Sequence, residues 1–235
     1  MNHYLYAIVD RLPARWRPPT AGILGASIVP RRFETMIVLT STLEIAPAPG
    51  PRSLALHHDI VATVVDAPAV VPLPYGTVVP GPQLGDWIAM RRSLIEASLA
   101  AVRGCVEVAV KLLRLDDALT RPRPLRADGA PSEPTVDRDL RGLAEMLADR
   151  AGVPRWQYRP SGGAGTLAAS VAFLVPRPEL AAFLARIAPV ASHAVGVAVV
   201  PTGPSAPASF APDLSRAPGG RTSLESWRAE QRRVG

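Results

Sequence analysis

The sequence predicts an α+β chain built as two ferredoxin-like (split βαβ) domains in tandem with a Pro/Gly/Arg-rich C-terminal tail. Apolar runs of strand character interleave with stretches of helical spacing, and the second half reads β-α-β-β-α-β in order. From about Thr202 onward that pattern gives way to Pro, Gly, Ser and Arg. The expected division is a modified ferredoxin-like domain over 1–104, a second ferredoxin-like domain over 105–202, and a flexible tail over 203–235.

The elements follow in order. Residues 4–9 read as a short buried strand, ended by the Pro- and Gly-rich segment 13–25. A second strand is expected at 35–42, where Met36, Ile37, Val38 and Leu39 run together. The breaker APAPGP over 46–51 precedes Leu56, Ile60, Val61, Val64 and Val65 at helical spacing. Residues 70–79 suit an edge strand, because Pro72 and Pro74 each lack a ladder donor. From Leu84 to Val102 an apolar stripe, interrupted by Arg91 and Ser98, marks the clearest helix, and Gly104 stops it. The first half thus reads β-α-β-α.

The second half opens with a strand at 106–113, Val106, Val108 and Val110 facing one way and Glu107 and Lys111 the other. Residues 121–134 read as a loop. A helix at 137–150 carries Leu140, Leu143, Ala144 and Leu147, with Gly152 beyond its end. Strands at 155–159 and 167–175 flank a turn at 160–165; Pro178 starts a helix on Leu180, Phe183, Leu184 and Ile187, and 194–200 supplies the last strand. Within the tail, Thr222 and Glu225 have capping-box spacing for one short helix.

Composition bounds the function. The 235 residues suffice for two domains with their own cores, and 48% are apolar while 26 prolines and 18 glycines break them into short elements. The net charge of +6 comes almost wholly from arginine, since Lys111 is the only lysine. The arginines lie in ones and twos, with no basic run and no nucleic-acid motif, and aromatics are only 5%, so nucleic acid is not the expected partner. A lone cysteine, Cys105, forbids an internal disulfide and fits a reducing, cytoplasmic compartment. The opening MNHYLYAIVD lacks the basic leader of a signal peptide. The longest apolar stretches, 165–176 and 194–201, fall short of the ~20 residues a membrane helix needs, so an integral membrane protein is not expected.

No catalytic, cofactor-binding or metal site is expected. Cys105 stands in apolar company, as a small buried thiol does. His57 and His58 are adjacent and point about 100° apart on a helix, so they cannot chelate from one face, and His3 and His193 stand alone. The run SGGAGT over 161–166 lacks the lysine of a phosphate loop and joins two strands, which suits a hairpin. Asp116, Asp117, Asp137 and Asp139 fall in loop or helix-start settings.

Several stretches together resemble one known family. YLYAIVD (Tyr4 to Asp10), a helix with His57 or His58 near its start, PLPYGTVV over 72–79, the long helix with Gly104, and VEVAVKLL over 106–113 occur in this order. AFLVPRPELAAF over 172–183 and TGPSAPASFAP over 202–212 complete it. As an ordered set these resemble the GvpF/GvpL family of gas vesicle proteins. The chain departs from the pattern at Pro74, where the family usually has arginine, and at Ser205, Ala206 and Ser209. The resemblance implies two ferredoxin-like domains and a non-enzymatic, cofactor-free assembly factor of the cytoplasm, associated with gas vesicles. It implies contact with the small, very apolar shell protein and with other accessory proteins. The competing reading from fold analogy is a small-molecule-binding regulatory module.

Overall fold

A buried strand must have its backbone groups paired, and the arrangement of the chain follows from satisfying that demand. The structure is a computed structural model that describes residues 1–45, 47–115, 133–161, 166–194 and 196–214. The chain divides into two compact units, whose described residues fall within 1–106 with 205–214, and within 107–204. The first half runs β1 (Asn2–Val9), β2 (Ile28–Phe33), β3 (Met36–Leu43), α1 (Pro51–Ala62), β4 (Val70–Pro72), β5 (Val78–Pro80) and α2 (Leu84–Val102). The second runs β6 (Cys105–Arg114), α3 (Glu133–Ala151), β7 (Trp156–Pro160), β8 (Leu167–Pro176), α4 (Leu180–His193) and β9 (Val197–Ser205). The result is a mixed α/β protein with two antiparallel sheets.

In the first unit β1 is the central strand. The order is β2-β3-β1-β4, with β5 also paired to β1, and every one of these pairings is antiparallel. The expected β-α-β-α order is therefore corrected: β2 precedes β3, and the run 70–79 is two short strands joined by a turn. Pro30, Arg31 and Arg32 hide β2 in the sequence; its strand character comes from pairing with β3. Phe33 pairs with Met36 across a two-residue turn in which Glu34 takes φ 46°. Counting back from that closing pair, the Pro30 nitrogen points away from β3, the place where an edge strand tolerates proline. With Pro72 in β4, a proline stands in each strand at the ends of the order, which limits pairing with other chains.

A register shift between Leu5 and Ala7 in the β1–β3 ladder makes Tyr6 the extra residue. Tyr4, Tyr6 and Ala7 thus join one core with Ile23, Leu39 and Ile60. Pro51 fills the first turn of α1, where a missing N–H costs nothing. Residues 205–214, expected within the tail, belong instead to this unit: Phe210 and Leu214 are fully buried. Arg91, 7% exposed, donates through Nε to the Leu214 carbonyl at 2.9 Å and through Nη1 to that of Trp87 at 3.3 Å, its guanidinium 4.5 Å from the Trp87 ring centre. The residue that interrupts the apolar stripe of α2 is a clasp for the closing segment.

In the second unit the elements follow β-α-β-β-α-β and the strand order is β7-β8-β6-β9. Leu140, Ala144 and Leu147 of α3 and Phe183 and Ile187 of α4 share a core with Val108, Val110, Val171 and Phe173 of the sheet. Gly152, at φ 63°, ends α3 by returning its N–H to the Ala148 carbonyl, and Arg186 of α4 donates to the Ala151 carbonyl at 2.9 Å. The helix starts at Glu133, inside the loop expected over 121–134, whose other residues, 121–132, lie outside the described residues along with most of the 161–166 turn and the Thr222 to Glu225 helix. Among the described residues no helix is long and apolar enough to cross a membrane.

Candidate functional site

The densest polar construction in the first unit lies under the turn that joins β4 to β5. β1 delivers Tyr4 and Tyr6 to one face, α1 delivers His57, and the turn carries Tyr75 and Gly76, the latter at φ 85°. Tyr4 and His57 each lie within 6.0 Å of the other three rings in tilted, edge-on and stacked contacts, Tyr6 and His57 being the stacked pair. His57 Nε2 lies 3.0 Å from the Leu73 carbonyl, which can only accept, so the proton of the neutral ring sits on Nε2. Nδ1 then accepts from the Tyr4 hydroxyl at 2.8 Å, and that hydroxyl accepts the Gly76 N–H at 3.2 Å. Beside it the Tyr6 hydroxyl accepts from the Ile23 N–H at 2.9 Å and donates to Ser41, which donates to the Ser27 carbonyl.

Burial sets the protonation states. His57 is 2% exposed and its pKa is lowered to about 4, chiefly by desolvation, while the Leu73 hydrogen bond pulls weakly the other way. Burial likewise raises the Tyr4 and Tyr6 phenols. A neutral histidine with both nitrogens engaged beside two un-ionised phenols is held by hydrogen bonds on both sides of its ring. It fastens the turn 73–77 to α1 and β1.

The other residues weighed from sequence stay dispersed. His3 is buried on β1, with its pKa lowered by burial and then by Arg31, whereas His58 is exposed beside His57. Cys105 is half-buried at the start of β6, its thiol 3.6 Å from the Arg103 carbonyl. Asp139 is exposed on α3. Asp116 and Asp117 and the side chains of Asp137 and His193 lie outside the described residues. Among the described residues no group of three His, Cys, Asp or Glu could hold a metal ion.

The second unit holds an open groove of about 380 Å³ between α3 and α4, walled by Leu143, Met146, Pro189 and Val190, with Asp149 and Arg150 on its rim. Met146 is 56% exposed there. Pro189 of this groove lies inside α4, where it removes a backbone donor. An apolar trough with two opposite charges at its lip can cover apolar surface and performs no chemistry by itself.

Fold and side chains together define a two-sheet α/β protein whose buried histidine and arginine serve as structural fasteners. The family model described as gas vesicle synthesis protein GvpL/GvpF matches residues 2–134, and the chain belongs to that family. Two crystal structures share the fold across nearly the whole chain. Gas vesicle protein GvpF from Microcystis aeruginosa is 13% identical, covers 92% of this chain and 99% of its own, and superposes with a TM-score of 0.68. GvpF from Anabaena sp. PCC7120 is 14% identical, covers 94% of this chain and 99% of its own, with a TM-score of 0.70. No curated protein matches the chain.

Proposed function

We propose that this protein is a non-enzymatic, cytoplasmic assembly factor that binds the small apolar shell protein of gas vesicles and supports their formation, with other vesicle accessory proteins as further partners. The family match over residues 2–134 carries the reading. A shell subunit with a large apolar face aggregates unless a partner covers that face before assembly. The two-sheet scaffold, with a proline in each outer strand of its first sheet, could meet such a subunit without pairing edge to edge with it. The β-α-β-β-α-β order and β7-β8-β6-β9 arrangement of the second unit support a ferredoxin-like domain over 105–202, and the first, over 1–104, is a modified version of it.

Co-expression with the shell protein followed by size-exclusion chromatography tests the reading. Co-elution of a soluble shell protein is the expected result. A well-folded chain beside a shell protein that aggregates as it does alone overturns direct shell binding.

A further inference from the structure

Between the end of β1 and the end of β2, residues 11–33 carry five arginines (Arg11, Arg15, Arg17, Arg31 and Arg32) and no aspartate or glutamate. The acids that bracket the segment are already taken: Asp10 pairs with Arg103 and Glu34 with Arg92. Among the described residues none of the five arginines makes an ion pair. The adjoining α1 adds Arg52 and Asp59, which cancel.

The structure fixes where four of these charges, those of Arg11, Arg15, Arg17 and Arg32, are exposed. Leu12 and Trp16 pack on the core beneath α1, and the Trp16 indole donates to Thr63 at the end of that helix, so Arg11, Arg15 and Arg17 are left exposed around a fixed point. Arg32 pairs with Ile37, which pairs with Val9, so Arg32 stands level with the end of β1, from which Arg11 follows two residues later.

The same segment presents two large exposed apolar side chains, Val29 on β2 and, more exposed, Leu24. Leu24 is 59% exposed and sits at φ 56°, ψ 26°, a left-handed conformation that disfavours leucine. It is held there from both sides. Ile23 is buried with its N–H on Tyr6, and Gly22 and Ala26 bond to each other across the turn at 2.7 Å. Gly22 itself has no room for a side chain, since a Cβ would lie 2.5 Å from the Tyr6 hydroxyl and 2.9 Å from the Ala26 carbonyl. The fold thus fixes, rather than relaxes, an exposed leucine in a strained turn within the arginine-bearing segment.

We propose that residues 11–33 form a docking surface for an acidic segment of a partner protein that also carries an apolar side chain, the arginines supplying charge complementarity and Leu24 the apolar anchor. A protein is favoured over nucleic acid because the anchor is aliphatic and Trp16, the segment's indole, is committed to Thr63. Backbone strand addition on β2 is disfavoured by Pro30, so the contact is made by side chains. The proposal goes beyond the assembly reading and is tested without any shell protein.

Fluorescence anisotropy on the full chain provides the test, with a labelled peptide alternating glutamate and leucine, an all-glutamate peptide, a thymidine oligonucleotide and phosphatidylserine vesicles as probes. The combined reversal R15E/R17E/R32E should weaken the glutamate–leucine peptide by about tenfold or more, as loss of charge complementarity does. Reversing Arg114, Arg150 and Arg159 of the other unit should not. Leu24→Gly, which the left-handed turn accepts without strain, should leave the melting temperature unchanged or raised while weakening the glutamate–leucine peptide and sparing the all-glutamate one. Equal loss from either set of reversals, no effect of Leu24→Gly on that peptide, or tighter binding of the oligonucleotide or vesicles through the same arginines would overturn the proposal.

Discussion

His57 shows how much one side chain can couple to the rest of the first unit. Folded, it titrates near 4; its ordinary value is 6.5. The unfolded chain therefore takes up the proton first, so this contribution to stability is complete above 6.5 and is lost as pH falls toward 4. His57→Phe keeps a ring against Tyr6 but strands the Leu73 carbonyl and the Tyr4 hydroxyl, and should cost about 2 kcal/mol in urea unfolding at neutral pH. The same variant should flatten the acid-side decline, though not abolish it, because His3 is shifted in the same direction and remains. An unfolding midpoint that falls as steeply with pH in the variant as in the parent would contradict this assignment. Gly22→Ala meets the Tyr6 and Ser41 hydroxyls and the Ala26 carbonyl at 2.5, 2.7 and 2.9 Å, and should lower stability by about 2 kcal/mol in the same assay. From sequence His57 reads only as one of two adjacent histidines unable to chelate from one face; its partners come from β1 and from the turn after β4, 53 and 16 residues away, and no local pattern contains them.

At the scale of elements, what was legible divides by how local the cause is. The helix expected over 84–102 forms with those bounds as α2, because its apolar stripe and the Gly104 stop are properties of the segment itself. β2 was not legible, because Pro30, Arg31 and Arg32 have no strand pattern and only the β3 ladder makes them one. Arg91 reads as a flaw in the stripe of α2 until the segment it grips is in place. Arg91→Met keeps the aliphatic stem over Trp87 but leaves the Leu214 carbonyl without that donor. It should destabilise the docking of 205–214 by about 2 kcal/mol, seen as faster hydrogen exchange there with the core of the second unit unaffected.

At the scale of the whole molecule, the segment that follows β9 completes the first unit. Phe210 is 1% exposed, and Phe210→Ala should cost about 3–4 kcal/mol of that unit's stability. In calorimetry the thermal transition belonging to residues 1–106 should fall while that of 107–204 holds; a uniform shift of both would show that the segment does not serve the first unit preferentially.

By itself the sequence determined the apolar periodicities, hence most strands and the four α-helices among the described residues, and the ordered motifs that place the chain in its family, because these depend on residues near one another in the chain. Only the tertiary structure decided the strand order of each sheet, the buried state of His57 and Arg91, the recruitment of 205–214, and the exposure of Leu24 in a left-handed turn. Each of those depends on which distant backbone satisfies a buried polar group, and that pairing is set by register and burial rather than by local spacing.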